Sequence, residues 1–464
     1  MSDSRKKYAA ALARDASRLP EAAAVATGGV EVQQGTSRDQ VFRWRKRRTA
    51  AAAARIGIFY PADPAGHVPS GIDNFIRGIL RWAPDDLRYT LFGASSDLEA
   101  RPVGRELALE LGGRTCTFVP MVSVDPHARR GLVPLTVRYL LALRAYVARG
   151  GASLCDVLDF HRIEPVWLMR HCPQPINITI HQDMTIIRHK DSDILWRHWP
   201  ALYQSLEYRL FRRADRIFSV RQSAVERYRT TYPDLKDRFS FLPTWVDPEV
   251  FHPTRNDAER ASLRARIRAS LEVTADTVVL VFVGRLDRQK DPLLLLRSFH
   301  QALTRFPKLH LVAVGDGVLR QETEAMCRRL RCEKQVSLLG PRGTTEIAEL
   351  LRGSDLFVLS SAYEGMPFAV LEALATGLPV VTTDVGEVRL VVQDGRNGKI
   401  CSERTVGDFA RAICAGVEGR ERFRGAPCVE AIEAYHPRRV LSRVYDNHRR
   451  QVREKTALWQ RSSV

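Results

Sequence analysis

From residue 55 onward, short apolar runs alternate with stretches in which apolar positions recur every three to four residues. Runs at 56–60, 89–92, 157–160, 176–180, 216–220 and 239–243 read as strands, and 72–82 reads as an amphipathic helix between the first two. A second series opens at 278–283 and continues through 309–314, 336–339, 356–359 and 379–382. Its runs are apolar throughout, as in parallel strands buried on both faces. Strands alternating with helices predict βαβ units. Two such series predict an α/β chain of two Rossmann-like, doubly wound domains facing across a cleft lined by strand carboxyl ends.

The expected organisation follows from these patterns. Residues 1–54 read as a flexible basic extension, 55–247 as the first domain and 248–272 as a linker holding Pro248, Pro253 and a charged helix. Residues 273–435 form the second domain, and 436–464 read as a basic helix expected to pack back on the first.

Of the 464 residues, 45% are hydrophobic and 27% charged, the balance of a globular chain and not of a disordered or collagen-like one. No run approaches the ~20 apolar residues of a membrane span, and the amino-terminal stretch lacks the apolar centre of a signal peptide, so a cytoplasmic location is expected. Eight cysteines without a CxxC pair offer neither a zinc ribbon nor a thioredoxin motif and read as reduced thiols. The net charge of +18 points to an anionic partner, and +7 of it lies in 1–55 and +6 in 437–464.

The chemistry is sought in loops after strands. The loop 284–292 places Arg285, a planar fork, and Lys290, a point charge, where two adjacent phosphates could be held; a solvated charge run is the ordinary alternative. The segment 360–379 reads as a loop and a helix over 367–376, with Pro367 at its first position and Gly377 at its stop. Its amino end, at Gly365, Met366, Pro367 and Phe368, then faces the cleft, where a helix terminus attracts anions. Glu364 and Glu372 lie roughly 7–12 Å apart on this geometry. That exceeds the ~5–5.5 Å of a retaining glycosidase pair and suggests two positions along an extended ligand. A capping glutamate and a solvated one is the competing reading.

Glu364 and Glu372 with seven residues between them, the Gly284–Arg285…Lys290 loop and the later 394–398 segment resemble the GT-B fold retaining glycosyltransferases of family four. The likeness covers roughly 55–460 and is strongest over 278–400. It implies that Arg285 and Lys290 hold the diphosphate of a nucleotide sugar, that Glu372 bonds the ribose hydroxyls, and that Glu364 contacts the donor sugar. The backbone from Gly365 to Phe368 would meet sugar hydroxyls and phosphate, and the strand and loop ending at Gly340 would meet the base. Gly71 stands in the glycine-bearing loop near the diphosphate. His181, ending 176–180, stands where the family often has a histidine at the donor sugar, with His161 ranked second.

Neither cofactor nor metal is expected, because fixed positive charge at Arg285, Lys290 and the Pro367 helix terminus would stabilise the leaving diphosphate. Retention of configuration is implied by the family alone. The expected acceptor is a glycan or a lipid-linked glycan in cell-surface polysaccharide assembly. The basic helix 138–149, the stretch 127–130 and the basic chain ends suggest peripheral contact with anionic membrane at its inner face. No nucleic-acid partner is expected, since the charge sits at the ends and does not interleave with aromatic residues along a groove. A sugar-nucleotide epimerase and a phosphorylase remain as alternatives. Asp191-Ser192-Asp193 reads as helix capping, not a metal motif, and Gly315-Asp316-Gly317 lacks the third glycine of a dinucleotide fingerprint.

Overall fold

A computed structural model describes residues 53–66, 71–125, 133–149, 155–183 and 199–461. The expected extension 1–54, apart from its last two residues, the basic stretch 127–130 and Asp191-Ser192-Asp193 lie outside the described residues. The first lobe is built on β1 (Ala54–Phe59), β2 (Leu87–Ser95), β3 (Leu107–Leu111), β4 (Arg114–Ser123), β5 (Val157–Phe160), β6 (Ile176–Ile180), β7 (Arg216–Ser219) and β8 (Phe239–Phe241). Their order in the sheet is β3-β4-β2-β1-β5-β6-β7-β8, parallel except for the β3–β4 pair. The second lobe holds β9 (Val278–Val283), β10 (Leu309–Val314), β11 (Val336–Gly340), β12 (Leu356–Leu359), β13 (Val380–Thr383) and β14 (Gly398–Cys401), all parallel in the order β11-β10-β9-β12-β13-β14. In each sheet the winding reverses beside the first strand, β1 or β9, and the crevice outside the carboxyl ends at that reversal is where such sheets take ligands.

Burial explains the register. The strands β5, β6, β10, β12 and β13 are buried at every position, as the continuous apolar runs require. The run at 336–339 departs from that rule: β11 is the edge strand and most of it is only partly covered. Stacked rings of Phe92, Phe59 and Phe160, with centroids 4.6 and 4.7 Å apart, tie β2, β1 and β5 together.

Several features differ from the sequence reading, among them the strands β4 and β14, which it did not contain. The charged helix of the expected linker, Asp257–Ser270, is built into the second lobe: Ile267 joins its core, and Arg264 and Arg268 both pair with the buried Asp355. The connection itself is the short stretch around Trp245 and Val246. The antiparallel strand β3 was not anticipated; it pairs with β4 through a turn at Gly112 and Gly113, both at positive φ.

The last helix, Pro437–Arg461, lies on the first lobe. Leu441, Val444 and Tyr445 enter that lobe's core. Tyr445 Oη donates to Ile79 O at 2.9 Å, and Gln451 exchanges amide bonds with Asn177 of β6 at 2.7 and 3.0 Å. His448, fully buried, sits 3.2 Å from Asp159 of β5 and 3.0 Å from Tyr89 Oη. The chain therefore crosses between lobes twice, and the crossings touch: Val246 N donates to Tyr435 O at 3.1 Å.

Candidate active site in the cleft

Two loops of the second lobe converge at the carboxyl ends of β9 and β12. The first is held down by glycines: a Cβ on Gly315 would lie 2.0 Å from Gly284 O and one on Gly317 2.5 Å from Leu286 O. The Gly315-Asp316-Gly317 sequence thus serves close backbone packing, which its short spacing signals, and Leu286 N donates to Asp316 O at 3.0 Å. Asp287 Oδ1 accepts from Lys290 N, and Asp291 caps the following helix, Pro292–Leu303, by accepting from Leu294 N.

Lys290 Nζ donates to Glu364 Oε1 at 2.6 Å, and the pair is largely buried. Ser361 Oγ donates to the same oxygen at 2.6 Å, while Gln289 Nε2 reaches Glu364 Oε2 at 3.4 Å and Tyr363 O at 3.2 Å. Arg285 is exposed; it bonds Gln289 Oε1 at 3.2 Å and Asp287 at 3.0 Å. Arg285, Gln289, Glu364 and Lys290 therefore form one linked chain of side chains. Gln289 and Ser361 carried no sequence signal.

The short helix begins at Phe368 and ends at Ala375, with Gly377 at φ +76° beyond it. Pro367 precedes it instead of opening it, because its ψ of 119° is extended. Proline has no capping side chain, and in the first turn Val370 N donates to Pro367 O at 3.2 Å. One face of this helix is fully apolar, and Glu372 stands half-buried beside it. Burial pushes the Glu372 carboxyl up to about 7, with Lys290 pulling it back. Gly386, at φ +57°, lies beneath the loop: a Cβ there would sit 2.1 Å from Gly365 O and 2.7 Å from Glu364 O. Glu387 N donates to Gly365 O at 2.9 Å. Gly340, at φ +72°, ends β11 with Arg320 as its neighbour, and its carbonyl accepts from Gly315 N.

The first lobe closes the opposite side. Gly71 opens the helix Gly71–Arg81, and a Cβ there would meet the Phe368 ring at 4.0 Å. On the same helix, Phe75 packs edge-on against His181 and 4.3 Å from Trp245, whose indole faces Phe368 at 6.1 Å. Thr244 Oγ1 donates to Met366 O at 3.2 Å, and Ser223 Oγ donates to Glu387 Oε1 at 2.9 Å.

His181 and His161 form a pair, with Nε2 of the first 2.9 Å from Nδ1 of the second. One ring donates to the other. Burial lowers both, His161 to about 4 and His181 well below the usual imidazole value, so both are neutral near pH 7. Among the described residues no group of three or more His, Cys, Asp or Glu is placed to hold a metal. All eight cysteines are free thiols. No helix of the described residues is long and apolar enough to cross a membrane.

Comparison with known proteins agrees with this architecture. The profile of the family described as glycosyl transferases group 1 matches residues 264–423. The D-inositol 3-phosphate glycosyltransferase of Mycobacterium tuberculosis is 33% identical over 195 residues, 38% of this chain and 39% of that protein. The chain spans less than half the length of the curated relatives it matches. Among solved structures, sucrose-phosphate synthase from Thermosynechococcus elongatus superposes with a TM-score of 0.68 at 17% identity, over 86% of this chain and 98% of that one. The Anabaena protein HepE in complex with UDP-glucose superposes with a TM-score of 0.62 at 15% identity, over 85% and 98%. Two facing parallel sheets, their switch-point cleft and these superpositions give the chain the GT-B fold, and residues 264–423 of its second lobe match the glycosyl transferases group 1 profile.

Proposed function

We propose that the chain moves a sugar from a nucleoside diphosphate sugar to a glycan or lipid-linked acceptor, with retention of anomeric configuration and without a metal or cofactor. The observation that carries this reading is the convergence of Lys290, Glu364 and the Phe368 helix terminus at the strand ends, with Glu372 about one turn along. In this reading Lys290, which has three donors, shares its ammonium between Glu364 and the diphosphate, and Arg285 closes over the second phosphate from its exposed position. Fixed charge and helix N–H groups then stabilise the leaving diphosphate without reorganisation. Glu372 accepts from ribose hydroxyls, Glu364 orients the donor sugar, and neutral His181 offers that sugar a hydrogen bond. Gly71 lets the first lobe approach the diphosphate, and the Gly340 loop meets the base. UDP-glucose in HepE supports a donor of this class.

The acceptor side is read from the helix Leu135–Ala148, where only Tyr139 and Leu143 are buried and Leu141, Arg144 and Arg149 are exposed. Such a face suits a lipid-linked acceptor at anionic membrane, in cell-surface polysaccharide assembly on the cytoplasmic side, and no nucleic acid. The test is thermal shift with UDP-, GDP- and ADP-sugars in EDTA. One donor should raise the melting temperature, and Arg285→Ala or Glu372→Ala should abolish the rise. An unchanged shift in both variants refutes the site.

A further inference from the structure

A second basic cleft lies in the first lobe, away from the site above. It encloses about 620 Å³ where the carboxy-terminal helix crosses β7 and β8, and its lining includes Arg216, Arg229, Arg443, Arg450 and Arg453 against one carboxylate, Asp446. Arg216 opens β7 and pairs in register with Asn177 of β6, whereas His181 follows the opposite end of β6. The cleft therefore runs along β7 and the edge strand β8 beneath the carboxy-terminal helix, reaching the amino-terminal end at Arg216, while the candidate active site lies beyond the carboxyl end of β6.

The charge in this cleft is not balanced internally. Asp446 is taken by Arg449, at 2.9 Å. Four of the five guanidinium groups are oriented by neutral acceptors. Arg216 donates to Asp237 O at 2.9 Å, Arg229 to Phe239 O at 2.8 Å, Arg443 to Phe241 O at 3.4 Å and Arg450 to Asn447 Oδ1 at 2.7 Å. The nearest carboxylate to any of them is Glu454, 3.9 Å from Arg450 Nε. Burial, and after it the neighbouring Arg450 and Arg229, hold Arg216 below its ordinary range. A second cleft of about 560 Å³ shares Arg216 and Arg450 and adds Arg213 and Lys455, with Asp215, Asp237 and Glu454 also in its lining. Arg213 donates to the backbone carbonyls of Arg170, Cys172 and Gln174 and lies 3.8 Å from Asp215.

We propose that these joined clefts bind a phosphate-bearing ligand, with Arg216 and Arg450 at the centre. A carboxylate offers two oxygens, too few for this many forks, while a phosphate group offers three or more and accepts several guanidinium groups at once. The phosphate belongs either to a soluble ligand or to a lipid headgroup, and the test separates the two.

The full chain carrying Arg285→Ala and Lys290→Ala, which weakens the pocket between the lobes, is titrated calorimetrically with inorganic pyrophosphate. In parallel it is sedimented with phosphatidylcholine vesicles containing about 30% phosphatidylglycerol. Adding Arg216→Gln and Arg450→Gln should weaken binding by at least about tenfold. The exposed pair Arg443→Gln and Arg453→Gln should do the same, and serves if the first pair impairs folding. Arg328→Gln with Arg329→Gln removes equal charge from the second lobe and should change nothing. Loss for pyrophosphate alone assigns a soluble ligand, and loss for vesicles alone a headgroup. Failure of both probes to bind, or equal weakening by the charge-matched pair, overturns the proposal.

Discussion

Removing Lys290 tests the linked loops directly. Its ammonium lies 2.6 Å from Glu364 Oε1, with side-chain exposures of 15% and 7%, so Lys290→Ala strands a carboxylate that water reaches poorly. Breaking a buried pair from one side costs about 3–5 kcal/mol. Ser361 at 2.6 Å and Gln289 at 3.4 Å still donate to Glu364, which places the expected loss near the low end, about 3 kcal/mol. Glu364→Gln in the same chain removes the stranded charge, so the double variant should recover about 2 kcal/mol of that loss. Catalysis should behave differently: the double variant regains stability but not kcat/KM, since the cation for the diphosphate is still missing. The assay is a double-mutant cycle in urea unfolding, followed by circular dichroism, alongside transfer rates with the best donor. A loss below about 0.5 kcal/mol for Lys290→Ala, with additive effects in the double variant, is the behaviour of a solvated surface pair and refutes the reasoning.

Three further outcomes are expected. Gly386→Ala forces a Cβ against Gly365 O and requires a positive φ, so donor affinity should fall at least about tenfold while circular dichroism stays unchanged; retained affinity shows that the loop tolerates displacement. The folded Glu372 carboxyl holds its proton to about 7 against an ordinary 4.5, so its contribution to stability is lost as pH rises between these values. Ionised Glu372 accepts more strongly from ribose hydroxyls, so donor affinity should rise through pH 7; Glu372→Gln should flatten the stability slope and remove that rise, as read by melting and binding curves from pH 5 to 8. His448→Ala leaves Asp159 buried without its imidazole and should destabilise the first lobe by about 3 kcal/mol, as measured by urea unfolding.

The two sheets were legible because buried parallel strands are predominantly apolar, and eleven of the fourteen described strands stand out as short apolar-rich runs, β3, β4 and β14 being the exceptions. β3 escaped because only alternate residues, Leu107, Leu109 and Leu111, face inward and the strand sits at an edge. That the loop of Arg285 and Lys290 and the loop of Glu364 lie at strand ends was legible, since each directly follows an apolar run. Gly386 was not: it acts from a later loop, and nothing in sequence shows which backbone it meets. His448 was hidden for the opposite reason. It lies in a helix whose charge reads as solvated, yet its ring is fully buried because the helix turns that side onto β5.

The paired crossings at Val246 and Tyr435 have a mechanical consequence. Two connections hydrogen-bonded side by side act as one pivot, so rotation is the cheapest motion available to the lobes and sliding is resisted. Because the last helix is anchored to the first lobe, shortening the chain from its carboxyl end would loosen the lobe farthest away in sequence, and would free one of the two leaves on which that pivot turns.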